Sequence, residues 1–159
     1  MTKRGNVWLG VAGVVISEEG NWLVVKKRYG GLKGKWSFPA GFVDANETVD
    51  EAVKREILEE TGIEVSVEGI MGVRTGVIKE KISDNMIIFL CKPLHSEVVF
   101  QQSELSDAAF KTVEELEQDP DTSLLIHYCM KQAEYSLLKG SSPMNPGDIF
   151  GYSSYKLFF

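Results

Sequence analysis

The chain has 159 residues, 43% of them hydrophobic and 25% charged, the proportions of a globular domain large enough to bury a core. Its net charge of −6 makes it a poor general ligand for nucleic acid, and no run approaches the ~20 apolar residues that a membrane span needs. A phosphorylated substrate would therefore have to meet local compensation, from metal ions or a basic patch. Met1–Arg4 leads into a strand-like run without a secretory apolar core. Cys91 and Cys129 sit in separate apolar segments, where buried free thiols are expected. These features together point to a cytoplasmic protein.

Asn6–Ser17 is rich in β-branched residues and predicts a strand, Glu18–Asn21 a turn, and Trp22–Lys27 the returning strand. A glycine- and lysine-rich loop, Tyr29–Lys35, follows. Trp36–Phe38 is expected to be extended, because Pro39 disfavours helix before it. Thr48–Thr61 contains no Gly or Pro and is followed by Gly62, which predicts a helix and its stop. Glu64–Val77 and Met86–Pro93 read as strands, and so do Val98–Gln101 and Ala108–Lys111. Thr112–Glu115 has the form of a capping box, and Ser123–Leu138 the pattern of a second long amphipathic helix. The order strands, helix, strands, helix predicts an α+β layered domain with a mixed sheet over residues 1–139. Residues 140–159, with Tyr152, Tyr155, Phe158 and Phe159 near the end, read as an extension and not as a separate domain.

The first helix carries the chemistry. On a wheel of ~100° per residue, Val49, Val53 and Ile57 form an apolar stripe. Glu56 and Glu60 fall on its flank, with Glu59 beside them. Carboxylates leaning toward a core repel one another and are costly to desolvate. They call for a compensating cation, either a hard divalent ion with oxygen ligands or Arg55, which can reach Glu51 and Glu59 four residues to either side.

Residues 41–63 match G-x5-E-x7-R-E-U-x-E-E-x-G-U, with U a bulky aliphatic residue, at Gly41, Glu47, Arg55, Glu56, Ile57, Glu59, Glu60, Gly62 and Ile63. The segment resembles the Nudix box at every specified position. The resemblance implies an α/β/α sandwich and Mg²⁺- or Mn²⁺-dependent hydrolysis of a diphosphate bond, in a nucleoside triphosphate or in a nucleoside diphosphate linked to another moiety. It implies that Glu56, Glu59 and Glu60 bind the metal, with Glu56 and Glu60 foremost by the wheel. The backbone carbonyl of Ala40 would join them, Gly41 allowing close approach of the backbone. Arg55 and Glu47 would orient the catalytic loop and helix. In such chemistry the ions neutralise the bridging phosphates and lower the pKa of a water, and a carboxylate takes its proton. That base is Glu56 in one variant of the family mechanism and a later loop glutamate in the other. Glu104 is the candidate for the second role, with Glu97 and Asp107 as substitutes.

On the substrate side, Lys26, Lys27, Arg28, Lys33 and Lys35 fall within ten residues free of acids. Alternation along a strand sends Lys26 and Lys27 to opposite faces, and Arg28 and Lys35 are the expected phosphate contacts. Trp36 and Phe38 flank the loop and suit either stacking on a base or core packing, with Phe38 the more inclined to the core. The proline typical of ADP-ribose enzymes and the tyrosine of dinucleoside polyphosphate enzymes are not found downstream of the box, where Lys79 and Glu80 stand. The NADH-type and coenzyme A-type signatures are also absent. The expected partner is a small nucleotide-type substrate, not a nucleic acid or a membrane, and a homodimer is open. Two rival readings remain: a catalytically silent Nudix-fold module that senses a nucleotide, and an isoprenoid diphosphate isomerase. The apolar setting of Cys91 does not suggest the isomerase.

Overall fold

A computed structural model describes residues 5–132, 136–141 and 146–159. At its centre is strand β1 (Val7–Val15), whose alternate side chains serve two hydrophobic layers. Val11 and Val15 enter one, Ala12 and Val14 the other. β1 lies between antiparallel β4 (Ala40–Phe42) and parallel β6 (Ile82–Pro93). Strand β5 (Val65–Ile78) pairs antiparallel to β6, giving a mixed sheet in the order β4-β1-β6-β5. A second, antiparallel sheet has the order β3-β2-β7, built from β2 (Trp22–Lys27), β3 (Trp36–Ser37) and β7 (Leu105–Lys111). The mixed sheet expected from the sequence is thus joined by a second, antiparallel one.

Helix α1 (Val49–Thr61) buries Ala52, Val53 and Ile57 against β1. Gly13 permits the close approach: a Cβ there would stand 2.5 Å from Ile57 Cδ1. The helix ends as expected at Gly62, which takes the left-handed conformation (φ 71°) and donates its N–H to the Leu58 carbonyl. On the other side, α2 (Val113–Gln118) and α3 (Leu124–Met130) bury Leu116 and Ile126, so the layers run α/β/α. α2 opens with the predicted capping box, Thr112 and Glu115 bonding each other's backbone N–H.

Two expectations fail. The helix predicted to run to Leu138 stops at Met130; its positions 133–135 lie outside the described residues. Leu138 instead exchanges backbone hydrogen bonds of 2.9 and 3.1 Å with Ile70 on the β5 edge, an alternative that helical periodicity cannot reveal. Val98–Gln101 forms no strand. It crosses the end of α1, where the Val99 N–H donates to the Thr61 carbonyl, while Val98 and Phe100 pack on the core from a loop.

The chain end folds back on the domain. Phe158 meets Phe89 edge to face at 6.0 Å between centroids, the Ser141 N–H donates to the Leu157 carbonyl at 2.8 Å, and Lys156 Nζ lies 2.7 Å from Asp50. Cys91 and Cys129 are both buried, and burial pushes the Cys91 thiol up to about 12. Among the described residues no helix is long and apolar enough to cross a membrane.

Candidate active site

The first turn of α1 is acidic, with Asp50 and Glu51, which suits the positive end of the helix dipole. The Thr48 hydroxyl engages both of these carboxylates, at 2.7 and 2.8 Å. Further along, the helix carries its glutamates past β4. Arg55 is the hub between helix and strand. Its guanidinium bonds both oxygens of Glu47, at 2.9 and 2.6 Å, and the Phe42 carbonyl at 3.0 Å. It also reaches Glu56 at 2.8 Å and Glu59 at 3.2 Å. A planar fork can make these parallel bonds where a lysine could not. Glu47 in turn accepts the Asp44 N–H at 2.8 Å, which ties the loop before α1 to the same hub. The Arg55 hydrogen bonds hold the Glu47 carboxyl below its ordinary range. Glu51, the other carboxylate expected within reach of Arg55, bonds Thr48 and faces Lys156 instead.

Glu56 and Glu60 project from the helix onto the β4 side, with side chains only 15% and 10% exposed, whereas Glu59 is 59% exposed and turned toward Arg55. Gly41 makes room for the first of them. A Cβ on Gly41 would fall 2.2 Å from Glu56 Cδ, so the carboxylate lies where any other residue's side chain would begin. Burial raises the Glu56 pKa against the opposing pull of Arg55. Burial raises Glu60 further, to about 7, although Lys27 and the backbone of Ala40 oppose it; Glu56 and Glu104 push in the same direction as burial. One oxygen of Glu60 lies 3.9 Å from Lys27 Nζ. The other, Oε2, is buried without a hydrogen-bond partner.

Glu104 stands across a cavity of about 350 Å³ that it lines with Lys27, Tyr29, Glu60 and Leu105. Its loop is fixed by backbone bonds from Arg28 N–H to the Glu104 carbonyl (3.0 Å) and from Glu104 N–H to Gln101 (3.2 Å). The structure therefore brings Glu56, Glu60, Ala40, Lys27 and Glu104 to one place.

The expected substrate contacts do not join them. The Arg28 Nε donates to the Gln102 carbonyl. Lys35 lies 3.6 Å from Asp121 and also bonds the Pro120 carbonyl. Trp36 is 3% exposed and donates its indole N–H to Asp119 at 3.0 Å. Lys26 and Lys111 stand over its ring, each 4.8 Å from the centroid. No face is left for a base, so Trp36 is a packing residue. Lys27 is the cation that sequence reasoning passed over. Alternation says that Lys26 and Lys27 diverge, but not which of them meets the helix.

Among the described residues no three carboxylate, His or Cys side chains converge closely enough to hold a metal ion as they stand. Glu56 and Glu60 nevertheless suit one. Both are oxygen donors, both are partly desolvated, and one carries an orphaned buried oxygen, the donor chemistry a hard divalent cation takes.

A family model, NUDIX domain, matches residues 8–129. The chain belongs to the NUDIX domain family. It is 35% identical over 85 residues to a MutT-like protein of Streptomyces ambofaciens, covering 54% of this chain and 51% of that one. It is 42% identical over 59 residues to an ADP-ribose pyrophosphatase of Methanocaldococcus jannaschii, covering 37% and 35%. The crystal structure of a NUDIX hydrolase from Nitrosomonas europaea superposes with a TM-score of 0.67 at 26% identity, over 79% of this chain and 69% of that one. The matched segments span about half and about a third of the two curated relatives. The box residues Gly41–Ile63 are thus embedded in a Nudix fold as well as in a Nudix sequence.

Proposed function

We propose that the protein is a Nudix hydrolase that cuts the diphosphate linkage of a nucleoside diphosphate derivative or a nucleoside triphosphate with the aid of Mg²⁺ or Mn²⁺. The observation that carries this reading is the half-buried pair Glu56 and Glu60, with an orphaned oxygen on Glu60, inside a complete box. In this reading Glu56, Glu59, Glu60 and the Ala40 carbonyl would hold the cation. The cation, when bound, supplies a Lewis acid that neutralises phosphate charge and acidifies water.

The remaining work falls to the chain itself. Arg55 fixes one oxygen of Glu56 and, through Glu47 and the Phe42 carbonyl, keeps helix and loop in register. Lys27, whose Nζ lies 3.9 Å from Glu60, would offer its ammonium to a phosphate oxygen of the substrate. It takes the part first given to Arg28 and Lys35. Glu104 faces the same cavity and takes the proton from the attacking water, with Glu56 as the alternative acceptor.

The test is turnover on a panel of nucleoside triphosphates, ADP-ribose, nucleotide sugars and dinucleotides, with and without Mg²⁺ or Mn²⁺. Glu56→Gln, Glu60→Gln and Glu104→Gln run alongside. Metal-dependent hydrolysis that falls by about 10²-fold or more in Glu104→Gln, within the range of a general base, supports the assignment. A Glu104→Gln enzyme with full activity moves the base to Glu56. Metal-dependent binding without turnover on any compound would replace the hydrolase reading with that of a sensing module.

A further inference from the structure

The mixed sheet has two unequal edges. β4, on the side of the carboxylates, has three residues, whereas β5 runs from Val65 to Ile78. The first part of β5 is guarded. Its register shifts twice, the second time between Ile70 and Gly72, and Leu138 pairs with Ile70. Irregular register and added chain are ordinary means of blunting an edge. Residues 72–78 have neither. Their pairing with β6 is regular, and among the described residues no strand or bridge lies on their outer side. They include no Pro or Lys, and Arg74, the charged residue among them, is held by Asp84 at 2.6 Å. Val73 and Val77 are 64% and 71% exposed. The strip offers its outward N–H and C=O groups to another strand.

Two glycines in this strip, Gly72 and Gly76, are unexplained within the chain. Neither has a positive φ, and a Cβ on either would meet nothing within 4 Å. Glycine inside a strand weakens it, and one of its uses is to let another chain approach closely. Antiparallel pairing of the strip with its own copy, centred on Thr75, gives both glycines that use. Thr75 then faces Thr75 of the second copy, Val73 faces Val77, Gly72 faces Ile78, and Gly76 faces Arg74. Alternation puts Gly72, Arg74, Gly76 and Ile78 on one face and Val73, Thr75 and Val77 on the other. On the first face each long side chain meets a glycine. On the second, valine pairs flank a threonine pair, the kind of cross-strand contact that stabilises a sheet. Neighbouring centres lose this fit. Centring on Arg74 sets the two guanidinium groups face to face, and centring on Gly76 sets glycine against glycine. A centre between residues sets outward backbone groups against inward ones.

We propose that residues 72–78 of β5 form the interface of a homodimer, in which two copies join through this strip into one continuous sheet across a two-fold axis at Thr75. Such an interface is isologous and closes on itself. An extended segment of a different protein would use the same backbone groups, but it would not account for glycines set opposite the strip's own Arg74 and Ile78. The carboxylates of α1 lie toward β4, at the opposite edge of the sheet, so the pairing does not cover them.

Sedimentation velocity on the full chain, over a roughly hundredfold range of concentration, reads the association, which follows mass action. The mass of the wild type is expected to rise from one chain to two. Thr75→Glu and Thr75→Lys each set like charges face to face across the axis, and each alone is expected to weaken association about tenfold or more. Both also lose the Thr75 hydroxyl bond to Asn85 at 2.6 Å, so loss of association in either alone is not enough. An equimolar mixture of the two is expected to recover it as a Glu–Lys heterodimer, which misfolded chains would not form. Gly76→Val fills the space that Arg74 of the second copy would take. In a lone chain nothing opposes that side chain, so its Tm at low concentration should hold or rise, while association falls about fivefold or more. A mass of one chain at every concentration, unweakened association in the charged variants, no recovery in their mixture, or association untouched by Gly76→Val overturns the proposal.

Discussion

Replacing Glu60 by Gln is expected to stabilise the metal-free protein at pH 8 and to change it little at pH 5. In the folded chain Glu60 is 10% exposed, and burial lifts its pKa from 4.5 to about 7 despite Lys27. The folded state therefore binds this proton more tightly than the unfolded chain. The contribution of Glu60 to stability is full below about pH 4.5 and is lost as pH rises through about 7. At about 1.4 kcal/mol per pH unit, the loss at pH 8 comes to about 3 kcal/mol. At pH 5 the wild type is still protonated when folded, and the same linkage leaves a loss of only about 1 kcal/mol or less. The neutral amide escapes both, so for a chain of this size its melting temperature at pH 8 is expected to exceed that of the wild type by up to about 9 °C. Melts in chelator at the two pH values, on both proteins, measure the difference. Saturating Mg²⁺ at pH 8 should then raise the wild type and leave the variant nearly unmoved. A variant that melts at or below the wild type at pH 8, or whose gain is the same at both pH values, would refute the account of Glu60 as a carboxylate whose burial opposes its charge.

Three further substitutions probe the frame of the site. Gly41→Ala puts a Cβ 2.2 Å from Glu56 Cδ and must displace that carboxylate; a shift on the order of 1 Å predicts about a 10²-fold loss of hydrolysis, read by steady-state kinetics. Arg55→Lys keeps the charge but loses the fork that grips Glu47 and Glu56. Mg²⁺ affinity and activity are expected to fall about 10- to 100-fold, and an activity equal to wild type would deny Arg55 its positioning role. Phe158→Ala removes a half-buried ring from Phe89 and is expected to cost about 2 kcal/mol in urea unfolding, roughly half the penalty of a fully buried phenylalanine; an unchanged midpoint would mean that the chain end adds nothing to the domain.

Local pattern and global packing divide what can be known about this protein. Helix α1 was legible in sequence because its stripe, its uninterrupted helix formers and Gly62 all act within a few residues, and the box spacing alone put Glu56 and Glu60 on one flank. Strands β1, β2, β5 and β6 announced themselves by β-branched runs bounded by turns. The end of α3 did not, because its competitor was a backbone pairing of Leu138 with Ile70, far away in the chain. Nor could sequence pick Lys27 over Arg28 and Lys35. That choice depends on the register shift of β2 against β7 at Lys26 and Lys27, and on Asp121 and Gln102 engaging the other two cations. Trp36 looked free to stack until Asp119, Lys26 and Lys111 closed around it. The box, its helix and the family's fold are written in short-range spacing. Which cation faces the carboxylates and which aromatic is buried emerge only in three dimensions, because each depends on distant segments meeting in space.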